Sequence, residues 1–223
     1  MKTKRHIISA LTLIVFGLLY LGSAATPTFE ANVKTYVSPS LNSSEITSVA
    51  IFSLRNAFTQ TSSLGIGDLN EINRLFQTSF IEKNRKTTLV NAYSATELLN
   101  KGKLVDDYSK FVTVYTQTGI PNTETLKKIG NELKVNGVIQ GFIENVIQND
   151  GLMGIREGET RIVFKYVMFS TISGEVLWEV TCVTSAKSGT NFLGGTTKEV
   201  TAPPVSEAMK NMKSKIDAAM LTL

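Results

Sequence analysis

The hydrophobic positions of this chain change period several times, and each change marks an element. Leu69, Ile72, Phe76 and Phe80 recur at spacings of three and four, which predicts a helix over 69–84 with one apolar face turned to a sheet. Before it, residues 48–54 (SVAIFSL) form an apolar run of strand length, and residues 87–91 (TTLVN) form a second. A short helix is predicted over 94–100, capped by Ser94 with Glu97 three residues on and ended by Gly102. In 106–118, Tyr108, Phe111, Val112 and Tyr115 suit a helical face, although 112–115 has the chemistry of a strand; the helix is the reading adopted. Pro121 then breaks the chain, and Asn122 or Thr123 caps a helix whose buried stripe is Leu126, Ile129 and Leu133.

From 133 to 186 the period shortens to two. Asn136-Gly137 turns the preceding helix into a strand over 138–146, and two longer strands follow at 161–170 and 175–184. The tight turn at Ser173-Gly174 makes the last two an antiparallel pair. Ile162, Phe164, Tyr166 and Met168 line one face of the middle strand and Val163, Val167 and Phe169 the other, so this strand belongs inside the sheet with helices on both sides. A final helix over 205–221 carries Val205, Ala208, Met209, Met212, Ile216, Ala219 and Met220 on one side, a stripe suited to closing over the sheet. The expected fold is α/β: a single domain over 48–223 with a mixed sheet, a three-strand C-terminal meander and a closing C-terminal helix.

The first 47 residues read differently. Residues 26–47 are rich in Ser, Thr and Asn with Pro27 and Pro39, and read as an extended polar arm rather than a packed element. Residues 1–25 open with Lys2, Lys4 and Arg5, continue with a 16-residue apolar run over 7–22 and finish on Ser23, Ala24 and Ala25. That is the pattern of a secretory signal peptide cut after Ala25, giving an exported protein, mature from about Thr26, in the periplasm or cell envelope. Membrane association follows only if the segment stays attached.

Removing the segment changes the charge. The whole chain has 23 Lys and Arg against 19 Asp and Glu, and residues 26–223 carry 20 against 19, so a nucleic-acid partner is not expected. His6, the one histidine, also leaves. The remaining 198 residues have no histidine for a Ser-His-Asp or Cys-His nucleophile or for the common zinc sites. Cys182, the one cysteine, falls in register with Val176, Trp178 and Val180 and reads as a buried, inert thiol. Asp68 with Glu71, and Asp106 with Asp107, sit where helices begin and read as caps rather than paired catalytic acids. The run GTNFLGGT over 189–196 misses a phosphate-binding loop because Gly195 stands where lysine is required. No catalytic, cofactor-binding or metal-ligating residue is nominated, and the chain is not expected to be an enzyme.

One resemblance emerges. The run Ile129-Gly-Asn-Glu-Leu-Lys-Val-Asn-Gly137-Val-Ile-Gln-Gly141 resembles the helix, small polar pair and strand ending in glycine of a group of bacterial envelope proteins. Met168-Phe-Ser-Thr-Ile-Ser-Gly174-Glu-Val-Leu-Trp178 is similar to their hairpin, and residues 48–54 to their first strand. The group comprises relatives of the curli-secretion lipoprotein CsgG, the amino-terminal domain of TolB and the LpoB-type activators of penicillin-binding proteins. The resemblance covers about 48–186 and implies their α/β fold and a role in contacts with envelope proteins. Here no cysteine follows the signal to carry a lipid, Ser170 stands where relatives have Asp, and the long alternating insertions that would build membrane hairpins are missing. Neither a lipid anchor nor a pore is expected.

Two functional readings follow. The first is a non-enzymatic interaction or assembly protein of the envelope. The second is a periplasmic small-ligand binder or enzyme using the loops over 55–67 and 187–198, because open α/β sheets place ligands at strand ends. The connection over 148–160 (QNDGLMGIREGET) holds Leu152, Met153 and Ile155 among three glycines. These side chains either fold back over the sheet edge or form a contact for another protein or a second copy of the same chain.

Overall fold

The computed structural model describes residues 27–57, 64–152, 156–189, 199–221 and 223. The strands are β1 (Thr28–Val37), β2 (Ser48–Asn56), β3 (Thr88–Val90), β4 (Gly137–Asn149), β5 (Gly151–Leu152), β6 (Glu159–Ser170), β7 (Val176–Lys187) and β8 (Glu199–Val200). The helices are α1 (Ile66–Lys83), α2 (Ala92–Lys101), α3 (Val105–Thr118), α4 (Thr123–Leu133), α5 (Val205–Ala208) and α6 (Met212–Ala219). One mixed sheet runs in the order β1-β7-β6-β4-β2-β3, antiparallel from β1 to β4 and parallel from β4 to β3. β5 and β8 form a separate antiparallel pair.

Alternation along β6 dictates the layering. Ile162, Phe164, Tyr166 and Met168 pack with Ile72, Phe76 and Phe80 of α1, with Trp178, Val180 and Cys182 of β7, and with Met212 and Ile216 of α6. Val167 and Phe169 pack on the other face with Phe111, Val112 and Tyr115 of α3 and with Leu126, Ile129 and Leu133 of α4. A strand buried on both faces must lie inside the sheet, and β6 does, between β7 and β4.

The middle of the sheet holds a polar device that the hydrophobic pattern does not announce. The pairing of β2 with β4 shifts register between Phe52 and Arg55, which takes the backbone of Ser53 and Leu54 out of the ladder. Buried backbone groups need partners, and two buried amides supply them. Gln140 Nε2 donates to Ser53 O at 3.0 Å, and Leu54 N–H donates to Asn73 Oδ1 at 3.0 Å. Asn73 Oδ1 also accepts the Tyr166 hydroxyl at 3.0 Å, while Gln140 Oε1 accepts the Tyr108 hydroxyl. The Tyr166 ring lies flat on Phe76, centroids 3.6 Å apart. Gly141 completes the fit, since a Cβ there would stand 2.6 Å from the Tyr166 ring and 2.8 Å from Leu54 Cδ2.

Several expectations are corrected by backbone hydrogen bonding. Residues 28–37 are extended as read but are packed: β1 pairs with β7 along its whole length, from Thr28 opposite Lys187 to Val37 opposite Trp178. α1 begins before Asp68, whose Oδ2 accepts the Gly65 N–H at 3.0 Å from inside the first turn. α2 is capped by Asn91, not Ser94, because Asn91 Oδ1 accepts the Ser94 N–H. Asn122 caps α4 in the same way. Val176 does not share a face with Trp178: a register shift opposite Met168 and Phe169 puts Leu177 and Trp178 in one core and Val176 against the other. The C-terminal stripe is two helices. Ala208 O accepts the Thr184 hydroxyl, and Met212 N–H bonds Met209 O where a continuing helix would bond Ala208 O.

Candidate functional site

The two ends of the sheet are built differently. At one end, short connections are tied to Asn136. Its N–H donates to Ser48 O at 3.0 Å, its side-chain oxygen accepts the hydroxyls of Thr47 at 2.8 Å and Ser48 at 3.0 Å, and its carbonyl accepts Thr171 N–H at 2.9 Å. Lys134 enters the left-handed region at φ 54° to stop α4, and Thr171 Oγ1 donates to Val135 O at 2.6 Å. Gly130 lets the β6–β7 turn sit on α4, because a Cβ there would lie 2.4 Å from Thr171 Cβ. The sequence run over 129–141 is therefore a hub joining the starts of β2 and β4 to the end of β6. An open depression of about 590 Å³ beside it is lined by Lys127, Asn131, Lys134, Asn136, Thr171 and Ile172.

The other end gathers the long connections. Glu159 pairs with both Asn149 and Lys187, and Lys187 also pairs with Thr28. The loops after β4 and β7 thus leave the sheet beside the point where β1 starts. β2 ends at the same side, with Asn56 opposite Ile143. β4, β6, β7 and β1 run on beyond that point, and β5, which follows β4, pairs separately with β8 through Gly151 opposite Val200 and Leu152 opposite Glu199.

Polar bonds lace this tip. Leu152 N–H donates to Arg156 O at 2.7 Å and Arg156 N–H to Leu152 O at 2.8 Å. Asp150 Oδ1 accepts Ala202 N–H at 2.7 Å, while Arg156 Nη2 donates to Asp150 O at 2.7 Å. Gly158 N–H donates to Ser188 Oγ at 2.9 Å, and Thr160 Oγ1 donates to Pro203 O at 2.5 Å. The described ends of the two connections, 150–152 and 156–160 in one and 187–189 and 199–203 in the other, are therefore neighbours. Leu152 is half-buried there. Met153, Ile155 and the stretches 58–63 and 190–198 lie outside the described residues.

A second cavity, of about 130 Å³, is lined by Ala57, Tyr115, Thr116, Gly119, Phe142, Glu144 and Lys165. Lys165 pairs with Glu144 at 2.8 Å and lies 5.9 Å from the Phe142 ring centroid. Burial, then the carboxylates of Glu179 and Glu144, push the Tyr115 hydroxyl up to about 12. This space has room for a few waters only, well short of the several hundred Å³ of an ordinary small-molecule site.

The acids noted in the sequence are not brought together. Asp68 bonds Gly65; Glu71 pairs with Arg74 at 2.7 Å, whose hydrogen bonds hold its carboxyl below the usual range; Asp107 faces Lys128 at 3.8 Å. Burial pushes the Cys182 thiol up to about 12. A thiol-directed disulfide reagent at pH 8 is accordingly expected to leave the folded protein unlabelled and to label it once after unfolding. Rapid labelling of the folded chain would contradict that burial.

No protein-family model and no curated protein matches this chain. Among solved structures it is similar to a PelC dodecamer from Paraburkholderia phytofirmans, at 12% identity and a TM-score of 0.45 over 87% of this chain and 100% of that one. It is also similar to the LpoB C-terminal domain from Salmonella enterica, at 13% identity and a TM-score of 0.39 over 61% of this chain and 81% of that one. A third is lipoprotein GNA1162 from Neisseria meningitidis, at 12% identity and a TM-score of 0.37 over 66% and 88%. No helix among the described residues is long and apolar enough to cross a membrane.

Proposed function

We propose that this chain is a non-enzymatic interaction or assembly protein of the cell envelope, exported by residues 1–25, which engages another envelope protein through the loop end of its sheet. The observation that carries the reading is the convergence there of two long connections, cross-linked by backbone pairing and holding Leu152, Met153 and Ile155 within four residues. Polar groups elsewhere have structural work: Asn73 and Gln140 serve the β2 bulge, and Asn136 ties the opposite end. The signal-like leader and the resemblance at 129–141 and 168–178 support an envelope address.

Replacing Leu152, Met153 and Ile155 together with Ser is expected to leave the melting midpoint nearly unchanged and to abolish cross-linking to envelope proteins that the unaltered chain captures. A large fall in midpoint with capture intact would assign these residues to the core and remove the contact. The small-ligand reading would use the strand-end loops 55–67 and 187–198, because the cavity at Ala57 is too small to serve it. A thermal-shift screen of metabolites showing a saturable rise in midpoint would favour that reading over the protein contact.

A further inference from the structure

β1 is an edge strand of ten residues with an unbroken register to β7 and, among the described residues, no strand on its outer side. Ser38 N–H donates to Leu177 O in the same register, so alternation directs the backbone groups of the even-numbered residues to β7. The N–H and C=O groups of Phe29, Ala31, Val33 and Thr35 therefore point out of the sheet. The strand has neither an internal proline nor a bulge, two of the usual devices that stop edges from pairing.

We infer that β1 pairs antiparallel with β1 of a second copy of this chain about a two-fold axis at Asn32, joining two sheets into one. The outward backbone groups admit only registers that place odd residues opposite odd. An axis at Asn32 satisfies this, with Ala31 opposite Val33 and Phe29 opposite Thr35 as hydrogen-bonded pairs. It also sets Glu30 opposite Lys34, and by symmetry Lys34 opposite Glu30, at the non-hydrogen-bonded positions where side chains approach most closely, with Cα atoms about 4.5 Å apart. Both side chains are exposed on the single chain. An axis at Glu30 or at Lys34 would face like charges, and an axis at Ala31 or Val33 would leave both charges opposite neutral residues. Lysine on an edge commonly repels a partner strand, but here each Lys34 meets a carboxylate. On the inner face Ala31 and Val33, half-buried with Phe29 against the core that includes α6, would face each other across the axis, so the apolar layer continues through it.

The inference does not depend on the loop end. Its test is sedimentation equilibrium of the chain as isolated from its host, which is expected to show a reversible dimer. Lys34→Glu or Glu30→Lys alone places like charges in both symmetric pairs and should weaken dimerisation about tenfold or more, while the two together restore it. Ala31→Pro removes an outward N–H without touching the ladder to β7, and should give a folded monomer. A monomer at every concentration up to about 100 µM, single reversals without effect, or a double exchange that fails to restore the dimer would each overturn the inference. So would a dimer lost only when Leu152, Met153 and Ile155 are replaced, a result that would leave the loop-end contact standing.

Discussion

Trp178→Ala is expected to destabilise the protein by about 3–5 kcal/mol, the largest effect of any single truncation considered. Trp178 is fully buried in β7, pairs with Met168 across the hairpin and lies 6.2 Å from the Phe76 ring centroid. Its Nε1 has no hydrogen-bond partner among the described residues, so truncation breaks no polar contact seen there. The cost is the apolar transfer of the indole and the void left between α1 and the sheet, which neighbours on a paired strand cannot collapse to fill. Urea titration measures it, as a fall in midpoint at unchanged slope. An unchanged midpoint would remove the β6–β7 hairpin from the centre of the fold.

The second large effect is expected at a polar residue. Asn73→Leu keeps the volume but strands two buried donors, the Leu54 N–H and the Tyr166 hydroxyl, which now share Asn73 Oδ1. An unsatisfied buried donor costs about 1–3 kcal/mol, so a loss of about 2–5 kcal/mol is expected although the new side chain is more apolar than the old. Adding Tyr166→Phe in the Asn73→Leu background should recover part of the loss, because it removes one stranded hydroxyl. In the unaltered background the same change should destabilise. A double-mutant cycle with no coupling would show that the Asn73 amide is not what satisfies the Tyr166 hydroxyl.

Both residues show where reading the chain succeeds and where it stops. The two-sided alternation of β6, the stripes of α1, α3 and α4, and the burial of Trp178 and Cys182 are legible because a side chain's face is determined by its own backbone period. β1 also alternates, with Phe29, Ala31, Val33 and Val37 separated by polar residues, but its prolines and hydroxyl-rich flanks read as an arm. Only pairing with β7 reveals it as a strand. Nothing local marks Asn73 and Gln140 as partners of one bulge, 67 residues apart in sequence, and nothing local turns Val176 away from Trp178. The candidate site divides in the same way. Leu152, Met153 and Ile155 stand out in sequence as apolar residues among glycines, whereas the meeting of that loop with the segment after β7 depends on the β5–β8 pairing. Periodicity specifies which way each side chain faces; the register between distant strands decides what it meets, because backbone hydrogen bonds carry no label of their partner until the sheet has formed.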